Sequence, residues 1–527
     1  MNNQYDVIVV GGGHNGLTAA GYLGIAGLKT LVLEKREMVG GACVTEEIHP
    51  GYRVSTVSYV VSLLQSKVIN DLELRAHGFE TTPIKGALKI RGDDYLFFTG
   101  DGEHDRREVL RYSTTDYDAM VKFDTMVQEY GTVLRNQMLR EPPKLEAGVS
   151  DLISLGRMGW DFRKLSPDLR HRLFQMLTSS AYDLIERWFE SSMVKCMYGA
   201  SCFNGLFASL RQPGTAIPFF HLSLGELDGK VGAWGNVKGG MGTITQAMAS
   251  FAQSKGVEIR TGAGVEKILV EGGKAVGVQL ENGDIINGRC VMANTDPKRT
   301  FLKLMDQNQL DQEFIKDIQQ IRMGHGSLKI LLALKGMPTN IFFDSAQEKA
   351  WQKSNTYIFP DIEEMEAGYF AAIQGKLPED PCLEVFIPSA TDDSLTPPGH
   401  HVMSIVDKYY PFQLAGGQSW DDIKDDVTEF VIDKISRVMP NLKDLIVQKM
   451  MISPLDYERE YGLTEGDIFH GRHDLDQLFS MRPHPRAAQY RTPVKNLYLC
   501  GSGSHPGGGV SGAPGHNAAR RVITDLK

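Results

Sequence analysis

A glycine-rich turn near the start of the sequence constrains the fold more than any other feature. The run Tyr5–Val10, YDVIVV, is apolar and β-branched, as in a buried parallel strand. Gly11, Gly13 and Gly16 follow in G-x-G-x-x-G spacing, and an Ala- and Leu-rich stretch then leads to a second apolar run that ends at Glu34. Strand, glycine turn, helix, strand and acid in this order predict a dinucleotide-binding fold.

The residues of this turn have separate tasks in such a fold. Gly11 permits the tight turn, Gly13 lets the backbone approach a pyrophosphate, and Gly16 lets the helix pack closely on the strand. The helix N-terminus at His14 and Asn15 offers free N–H groups to the phosphates. Glu34 would accept hydrogen bonds from ribose hydroxyls, with Lys35 and Arg36 beside it. Because a carboxylate repels a 2′-phosphate, FAD or NAD fits this site better than NADP.

The α/β pattern recurs in three separate stretches. We expect residues 1–75, 238–297 and 486–527 to form one discontinuous Rossmann-type FAD-binding domain. Residues 76–237 and 298–485 would form an inserted α+β substrate or lid domain. Apolar residues at helical spacing between 110 and 190 predict helices with one buried face that includes Phe174, Leu177, Leu184, Ile185 and Trp188.

Composition excludes several classes of function. The net charge of −9 comes without a basic run, which argues against a nucleic-acid partner. The best apolar run, 328–334, is too short to cross a membrane and contains Lys329. The N-terminus shows no targeting pattern, so we expect a cytoplasmic protein. The six cysteines have no disulfide-framework or C-x-x-C spacing, and the histidines have no metal-binding spacing, so no metal is expected.

Three segments together resemble one known group. These are VIVVGGGHNGLTAAGYLGIAGLKTLVLEKREMVGGACVTEE, the middle KGGMGTITQAMASFA with VEKILVEGGKAVGV, and the C-terminal NLYLCGSGSHPGGGVSGAPGHNAA. They are similar to the phytoene desaturase superfamily of FAD-dependent oxidoreductases, and the similarity spans essentially the whole chain. Within it, the chain most resembles the branch of the pyridine nucleotide-disulfide oxidoreductase domain-containing proteins, with GDIFHGRHDLDQLFSMRPHP as the most branch-specific segment. The cyanobacterial-type β-carotene ketolases are somewhat less similar.

The resemblance implies an amine-oxidase-like fold and further FAD-binding residues. Gly40 and Gly41 match the double glycine that supports the cofactor, whereas Ala42 replaces the arginine that usually follows, with Thr45 as a substitute contact. Val265 matches a backbone contact on the adenine side. The last strand, 496–500, is expected to return beside the first strand, with a helix from about Val510. The backbone N–H groups expected to face the flavin belong to a second glycine loop: Gly501, Ser502, Gly503, Gly509 and Val510.

The resemblance also implies a reaction class. We expect FAD to exchange a hydride with a C–C bond of a lipophilic, polyene- or carotenoid-like substrate, in desaturation, ketolation or saturation, with oxygen or a quinone as electron acceptor. No catalytic side chain is evident, and His505 is the candidate. Two alternatives remain open: an FAD-bound lipid- or partner-binding scaffold, and an amine oxidase with a cage built from Trp234, Tyr409 and Tyr410. The sequence leaves oligomeric state and contact with a membrane surface open.

Overall fold

The structure, a computed structural model, describes residues 4–144, 153, 155–156, 159–160, 162–203, 206–324, 326–343 and 345–527. The strands of the described residues are β1 (Tyr5–Val10), β2 (Thr30–Leu33), β3 (Thr45–His49), β4 (Tyr52–Ser55), β5 (Thr81–Pro83), β6 (Ala87–Arg91), β7 (Asp94–Phe98), β8 (Glu226–Leu227), β9 (Lys230–Val231), β10 (Gly235–Val237), β11 (Glu258–Arg260), β12 (Val265–Glu271), β13 (Lys274–Leu280), β14 (Ile285–Ala293), β15 (Ser327–Leu334), β16 (Asn355–Ile358), β17 (Leu383–Phe386), β18 (His401–Lys408), β19 (Ile446–Ile452) and β20 (Leu497–Leu499).

The α-helices of the same residues are α1 (His14–Ile25), α2 (Ser66–Asp71), α3 (Gly102–Leu110), α4 (Asp116–Met138), α5 (Pro167–Thr178), α6 (Ala181–Trp188), α7 (Ser192–Ala200), α8 (Ile217–Ser223), α9 (Gly242–Ser254), α10 (Gln312–Gln320), α11 (Ser345–Trp351), α12 (Ile362–Ala372), α13 (Trp420–Ser436), α14 (Leu442–Leu445), α15 (Pro454–Tyr461) and α16 (Ala513–Leu526). Within the described part of the chain, none of the helices has the length and apolar character that crossing a membrane requires.

The first sheet has the parallel order β11-β2-β1-β14-β20. Strand β14 also continues into an antiparallel meander, because its first residues pair with β13, which pairs with β12. Alternate residues of β1 enter two different cores: Val7 and Val9 pack with α1, α9 and α16, and Ile8 and Val10 pack with the meander and α10. Both faces are therefore covered, as expected for an apolar parallel strand.

The second sheet has the order β19-β15-β18-β17-β16-β6-β7 and is antiparallel except between β16 and β6. Helix α13 covers one face. The β3–β4 hairpin covers the other face at β15, where Leu331 and Ala333 pack with Tyr52 and Val54. Because both faces of β15 are covered, all eight of its residues are buried, including Lys329.

The two sheets draw on different stretches of sequence. All strands of the first sheet lie within 1–75, 238–297 and 486–527, and those of the second lie within 76–237 and 298–485. The domain boundaries themselves remain predictions. The β3–β4 hairpin crosses this division, since it belongs to the first segment yet packs on the second sheet.

Three local expectations need correction. Phe174 is 72% exposed, although Leu184 and Ile185 of the same proposed face are buried. Strand β20 pairs with β14 rather than with β1, so one strand separates it from the first. The last helix begins at Ala513 rather than near Val510, because Gly512 is in the left-handed conformation and Pro514 occupies the first turn, where it needs no hydrogen-bond partner.

Candidate active site

The N-terminal glycine turn sits where β1 ends. Gly11 has φ +99°, which favours glycine, and a Cβ on Gly16 would overlap the carbonyl oxygen of Gly11. Helix α1 starts at His14, and its N-cap residue Gly13 supplies no side-chain cap. The first N–H groups of the helix are thus left for a ligand, which is the arrangement that binds phosphate.

Glu34 and the double glycine fix the shape of this turn. The buried Glu34 carboxylate accepts hydrogen bonds from Gly12 N at 2.8 Å through Oε2 and from Arg36 N at 3.0 Å through Oε1. Gly40 N donates to Gly12 O at 2.9 Å. Since a carboxylate can accept about four hydrogen bonds, Glu34 keeps acceptor capacity for ribose hydroxyls.

The C-terminal glycine loop closes onto the same turn. Asn15 Nδ2 donates to Ser502 Oγ at 3.1 Å, and His14 Nε2 lies 3.1 Å from Gly509 O, to which it donates. Burial and the neighbouring His470 lower the pKa of His14 to about 4, so the ring is neutral. Asn15 Oδ1 is buried without a hydrogen-bond partner among the described residues. An unsatisfied acceptor at this point calls for a donor from a ligand, such as a hydroxyl of a dinucleotide.

These elements enclose a cleft of about 150 Å³ at the carboxyl ends of the parallel strands. This is where open α/β sheets bind ligands. The predicted residues that line it are Gly11, Gly13, His14, Asn15, Glu34, Lys35, Arg36, Gly41, Ala42, Val265 and Ser502. The glycine cradle and the unpaired Asn15 oxygen fit a dinucleotide. The assignments as cofactor ligands stay predictions.

The other predicted cofactor residues lie behind or beside the cleft. Gly16 and Gly40 support its floor. Thr45 Oγ1 accepts from Gly242 N at 2.9 Å, which ties it to the start of α9. Gly501 and Gly503 pack against the segment that follows β14, and Gly509 and Val510 are half-buried. Lys35 is exposed and pairs with Glu281 at 2.8 Å, whereas Arg36 pairs with Glu46 at 2.5 Å over the Tyr461 ring.

Sequence reasoning missed Asn294 and His470, which also line the cleft. Asn294 Nδ2 donates to Gly11 O at 3.1 Å and lies beside Gly13 and Gly16. The sequence did contain a signal for Asn294, because this residue directly follows β14, the parallel neighbour of β1. His470 has φ +62° and a buried Nδ1 without a partner among the described residues, and burial lowers its pKa. No sequence motif predicted that His470 would lie in the cleft.

Arg482 joins the C-terminal loop to the branch-specific segment 466–485. Its guanidinium is fully buried and donates to Ser502 O at 2.9 Å, and also to the carbonyl oxygens of Phe469, Gly471 and Arg472. Burial lowers its pKa to about 10, so it remains a cation at neutral pH. Its role is to hold the backbone around the glycine loop.

His505, the candidate catalytic residue, does not line the cleft. Its Nε2 lies 3.1 Å from Gln137 O, its ring stacks on Phe479, and burial lowers its pKa to about 4. It faces a separate cavity of about 570 Å³. The structure therefore offers no support for a catalytic role of His505.

A cavity of about 870 Å³ lies directly behind the cleft. Ala42 lines the cleft, Ser58 N donates to Ala42 O at 2.9 Å, and Tyr59, the next residue, lines the cavity. The wall is rich in aromatic side chains: Tyr59, Phe123, Tyr198, Phe219, Trp234, Tyr357, Phe359 and Phe386. Of the three aromatic residues considered for an amine cage, Trp234 lines the cavity, whereas Tyr409 and Tyr410 are buried and donate to Ala208 O and Asp407.

Lys329 lies beneath the segment that separates cleft and cavity. Its Nζ donates to Ser55 O at 2.6 Å and Val57 O at 3.1 Å and lies 5.1 Å from the centre of the Tyr59 ring. Burial lowers its pKa well below the usual value. In the sequence, Lys329 was visible as a lysine inside an otherwise apolar run. There it served only to argue against a membrane-spanning segment, although a lysine in such a strand also indicates a buried functional group.

Comparison with known proteins agrees with this architecture. The chain matches the family described as flavin containing amine oxidoreductase over residues 16–523. It is 35% identical to "Pyridine nucleotide-disulfide oxidoreductase domain-containing protein 2" of Rattus norvegicus, covering 100% of this chain and 94% of that protein. Phytoene desaturase (neurosporene-forming) of Cereibacter sphaeroides is 25% identical, covering 96% of this chain and 92% of that protein.

A solved structure, putrescine oxidase bound to putrescine, superposes with a TM-score of 0.62 at 16% identity, covering 99% of this chain and 98% of the other. That likeness confirms the predicted α/β fold with a Rossmann-type FAD-binding domain. The family match and the whole-length relatives confirm the predicted superfamily and cofactor. The chain belongs to the flavin-containing amine oxidoreductase family and is an FAD-dependent oxidoreductase.

Proposed function

We propose that the chain oxidises or reduces a C–C bond of a lipophilic, polyene-like substrate held in the 870 Å³ cavity. One observation carries the proposal: Ala42, which lines the cleft, accepts a hydrogen bond from Ser58 N, and the next residue, Tyr59, lines the aromatic cavity. Substrate and flavin would then meet at this wall. A volume of this order suits a drug-sized or larger apolar ligand.

The chain's own residues would hold FAD along the cleft. Glu34 would bind the adenosine ribose, the N-terminus of α1 the pyrophosphate, and Asn15 Oδ1 a hydroxyl of the ribityl chain. The chemistry supplied at the substrate carbon, with FAD bound, would be hydride transfer in either direction. Arg482 holds the Ser502 carbonyl and so fixes the loop beside the ligand.

Lys329 would handle the proton of this reaction. Desaturation removes a hydride from one carbon and a proton from its neighbour, so a base is needed on the substrate side. Burial lowers the pKa of Lys329 and favours its neutral amine. The carbonyl oxygens of Ser55 and Val57 accept two hydrogen bonds from Nζ, and the amine lies next to Tyr59 at the cavity wall.

The proposal also includes the electron-transfer partner and the cellular localisation of the protein. In the desaturation direction, oxygen or a quinone would accept the two electrons taken from the substrate and so reoxidise the enzyme. Saturation of a double bond would instead require a two-electron donor to reduce the enzyme first. We place the reaction in the cytoplasm, with contact to a membrane surface as the route by which a lipophilic substrate arrives.

Anaerobic reduction tests this function. A neutral conjugated polyene should bleach the flavin absorbance of the purified holoenzyme, whereas putrescine should not. Val231→Trp, which fills the cavity, should slow bleaching at least about tenfold with unchanged flavin content, and Val447→Trp on the exposed side of β19 should leave it unchanged.

Other results would redirect the assignment. Bleaching by putrescine together with release of hydrogen peroxide would favour an amine oxidase. A flavin that is photoreduced and reoxidised normally but bleached by neither compound class would favour the scaffold. Equal rates in the two tryptophan variants would contradict the cavity as the substrate site.

A further inference from the structure

Lys89 brings an unpaired positive charge into the substrate cavity. It lies on β6 and lines the cavity, and its Nζ is 3.2 Å from the centre of the Tyr357 ring. In the described part of the chain no carboxylate lies within ion-pair distance of this ammonium. Burial lowers the pKa of Lys89 to about 8, so it is mostly charged at neutral pH. Lys89 is half-buried, and Glu384, which lies beyond ion-pair distance, still favours its charged form. A ligand anion at hydrogen-bond distance would compensate this charge more fully than Glu384 does.

The carboxylates of the cavity are already engaged elsewhere. Glu384 accepts from the Tyr59 hydroxyl at 2.7 Å and lies 3.8 Å from Lys408 Nζ. Asp124 accepts from Tyr198 at 2.8 Å, and burial raises its pKa to about 6, so it is still mostly ionised at neutral pH. Asp228 at the edge pairs with Arg75.

Two further lysines, Lys85 and Lys230, lie at the edge of the cavity and are exposed. Three lysines and three carboxylates line the cavity, but two of the carboxylates pair with cations outside the lining, Asp228 with Arg75 and Glu384 with Lys408. This disfavours an ammonium ligand and favours an anion.

The second sheet places Lys89 and Lys329 at opposite ends of one row. Lys89 pairs with Tyr357, Tyr357 with Glu384, Glu384 with Val406, and Val406 with Lys329. Directly paired residues point to the same face of a sheet. Four strand spacings separate the two lysines, about 19 Å. Lys89, Tyr357 and Glu384 line the cavity, and the row then continues through the buried Val406 to Lys329, beside Tyr59.

We propose that the substrate is an elongated lipophilic carboxylate, whose carboxylate pairs with Lys89 while its carbon chain extends along this row toward Tyr59 and Lys329. The inference rests on the proposed function and names its substrate class. The aromatic residues contact the chain, and the ammonium fixes its register, so that a bond at a set distance from the carboxylate reaches the wall beside Ala42. Charge-assisted hydrogen bonds of this kind are about twice as strong as neutral ones.

Binding of a fluorescent fatty acid tests this directly. trans-Parinaric acid and its methyl ester, which differ only in charge at one end, are titrated into the FAD-loaded full-length protein. We expect the acid to bind at least about tenfold more tightly than the ester. Lys89→Met should abolish the preference, Lys89→Arg should keep most of it, and the exposed Lys274→Met should leave it unchanged.

Folding of the variant does not obscure the result. Methionine keeps the apolar stem of Lys89 over the Tyr357 ring. The melting temperature of Lys89→Met should therefore lie close to that of the wild type, and its measurement separates a lost preference from unfolding. Equal affinity of acid and ester for the wild type, no binding of either, or a preference that survives in Lys89→Met would each overturn the proposal.

The outcome is separable from the test of function. If neutral polyenes bleach the flavin and the acid shows no preference, the proposed function stands and the carboxylate is wrong. The other outcome is that the protein binds the acid more tightly than the ester, but no polyene, charged or neutral, bleaches the flavin. The anion-binding site at Lys89 would then be supported, and the proposed reaction class would be wrong.

Discussion

The two glycine loops of the cleft look alike in composition but depend on different interactions. In the N-terminal loop, the residue that excludes a side chain at Gly16 is Gly11, five positions away in the same turn. In the C-terminal loop, the neighbours come from distant segments: Gly503 packs on Pro297 and Gly508 on Phe469. At Gly16 the closest approach is therefore within the turn, although Asn294 also restricts Gly13 and Gly16. Gly503 and Gly508 are instead restricted by distant segments alone.

This difference explains why one loop has a strict spacing and the other does not. A turn that closes on itself needs glycine at fixed positions, which produces a motif. A loop shaped by remote neighbours needs glycine wherever those neighbours approach. Mutations should therefore act on the two loops in different ways.

The largest loss of stability is expected for a substitution of Arg482. This residue lies outside the C-terminal loop and donates hydrogen bonds to the Ser502 carbonyl oxygen within it. Arg482→Met would leave several buried carbonyl oxygens without a donor, including that of Ser502. We expect the free energy of unfolding to fall by about 3 to 5 kcal/mol and the flavin to be released earlier. Guanidinium unfolding followed by tryptophan and flavin fluorescence measures both.

Arg486→Met is the matched control, because Arg486 is an exposed arginine that pairs with Asp311. It should cost less than about 1 kcal/mol. A loss no greater for Arg482→Met than for this control would show that the C-terminal loop does not depend on the buried guanidinium.

Acid should destabilise the fold through His14, because protonation would place a charge on a ring that is buried between the two loops. The pKa of His14 is about 4 in the fold and 6.5 as its ordinary value, so the unfolded chain binds more protons between these pH values. Stability is therefore lost as pH falls from 6.5 to about 4, by at most about 3 kcal/mol for this residue.

His14→Asn keeps a donor for the Gly509 carbonyl but cannot be protonated, so it should flatten this pH dependence; His171→Asn, at an exposed position, should not. Unfolding midpoints at pH 7 and pH 5 provide the measurement. An unchanged pH profile in His14→Asn would argue that acid acts through another group.

A third pair of variants distinguishes local from tertiary control. Gly16→Ala and Gly508→Ala should each cost about 1 to 3 kcal/mol, because each new methyl group overlaps a neighbour. The clash at Gly508 is with the Phe469 side chain, and Phe469→Ala removes the ring atoms but keeps Cβ. The double variant should therefore lose less stability than the sum of the two single losses. The clash at Gly16 is with backbone, so trimming a side chain cannot relieve it.

Thermal denaturation of the single and double variants, with Gly199→Ala as a control that meets only ordinary contacts, tests this contrast. If the losses from Gly508→Ala and Phe469→Ala simply add, the C-terminal loop is governed by its own backbone, as the N-terminal loop is.

The smallest effect concerns the direct link between the loops. Asn15 and Ser502 share one buried hydrogen bond. A double-mutant cycle with Asn15→Ala and Ser502→Ala should give a coupling free energy of about 1 kcal/mol. A coupling near zero would mean that the loops approach each other without stabilising one another.

The same distinction decides what the sequence could predict. Glu34 and the first glycines follow a spacing set by one turn and one helix, so their grouping in the cleft could be foreseen. The row Lys89, Tyr357 and Glu384 could not, because these residues come from three strands whose pairing no motif records. Phe174 shows the limit of periodicity: it has the right spacing for a buried face, but nothing in the sequence says which side of a helix meets the core.

The pairing of β20 with β14, together with the Asn15–Ser502 hydrogen bond, has a consequence for biosynthesis. The cleft takes its floor from residues made almost five hundred positions before those of its closing wall. A nascent chain that does not yet include Ser502 lacks this wall, so we expect cofactor loading to follow the emergence of Ser502. Pulse-labelled nascent chains arrested before that point should carry no flavin.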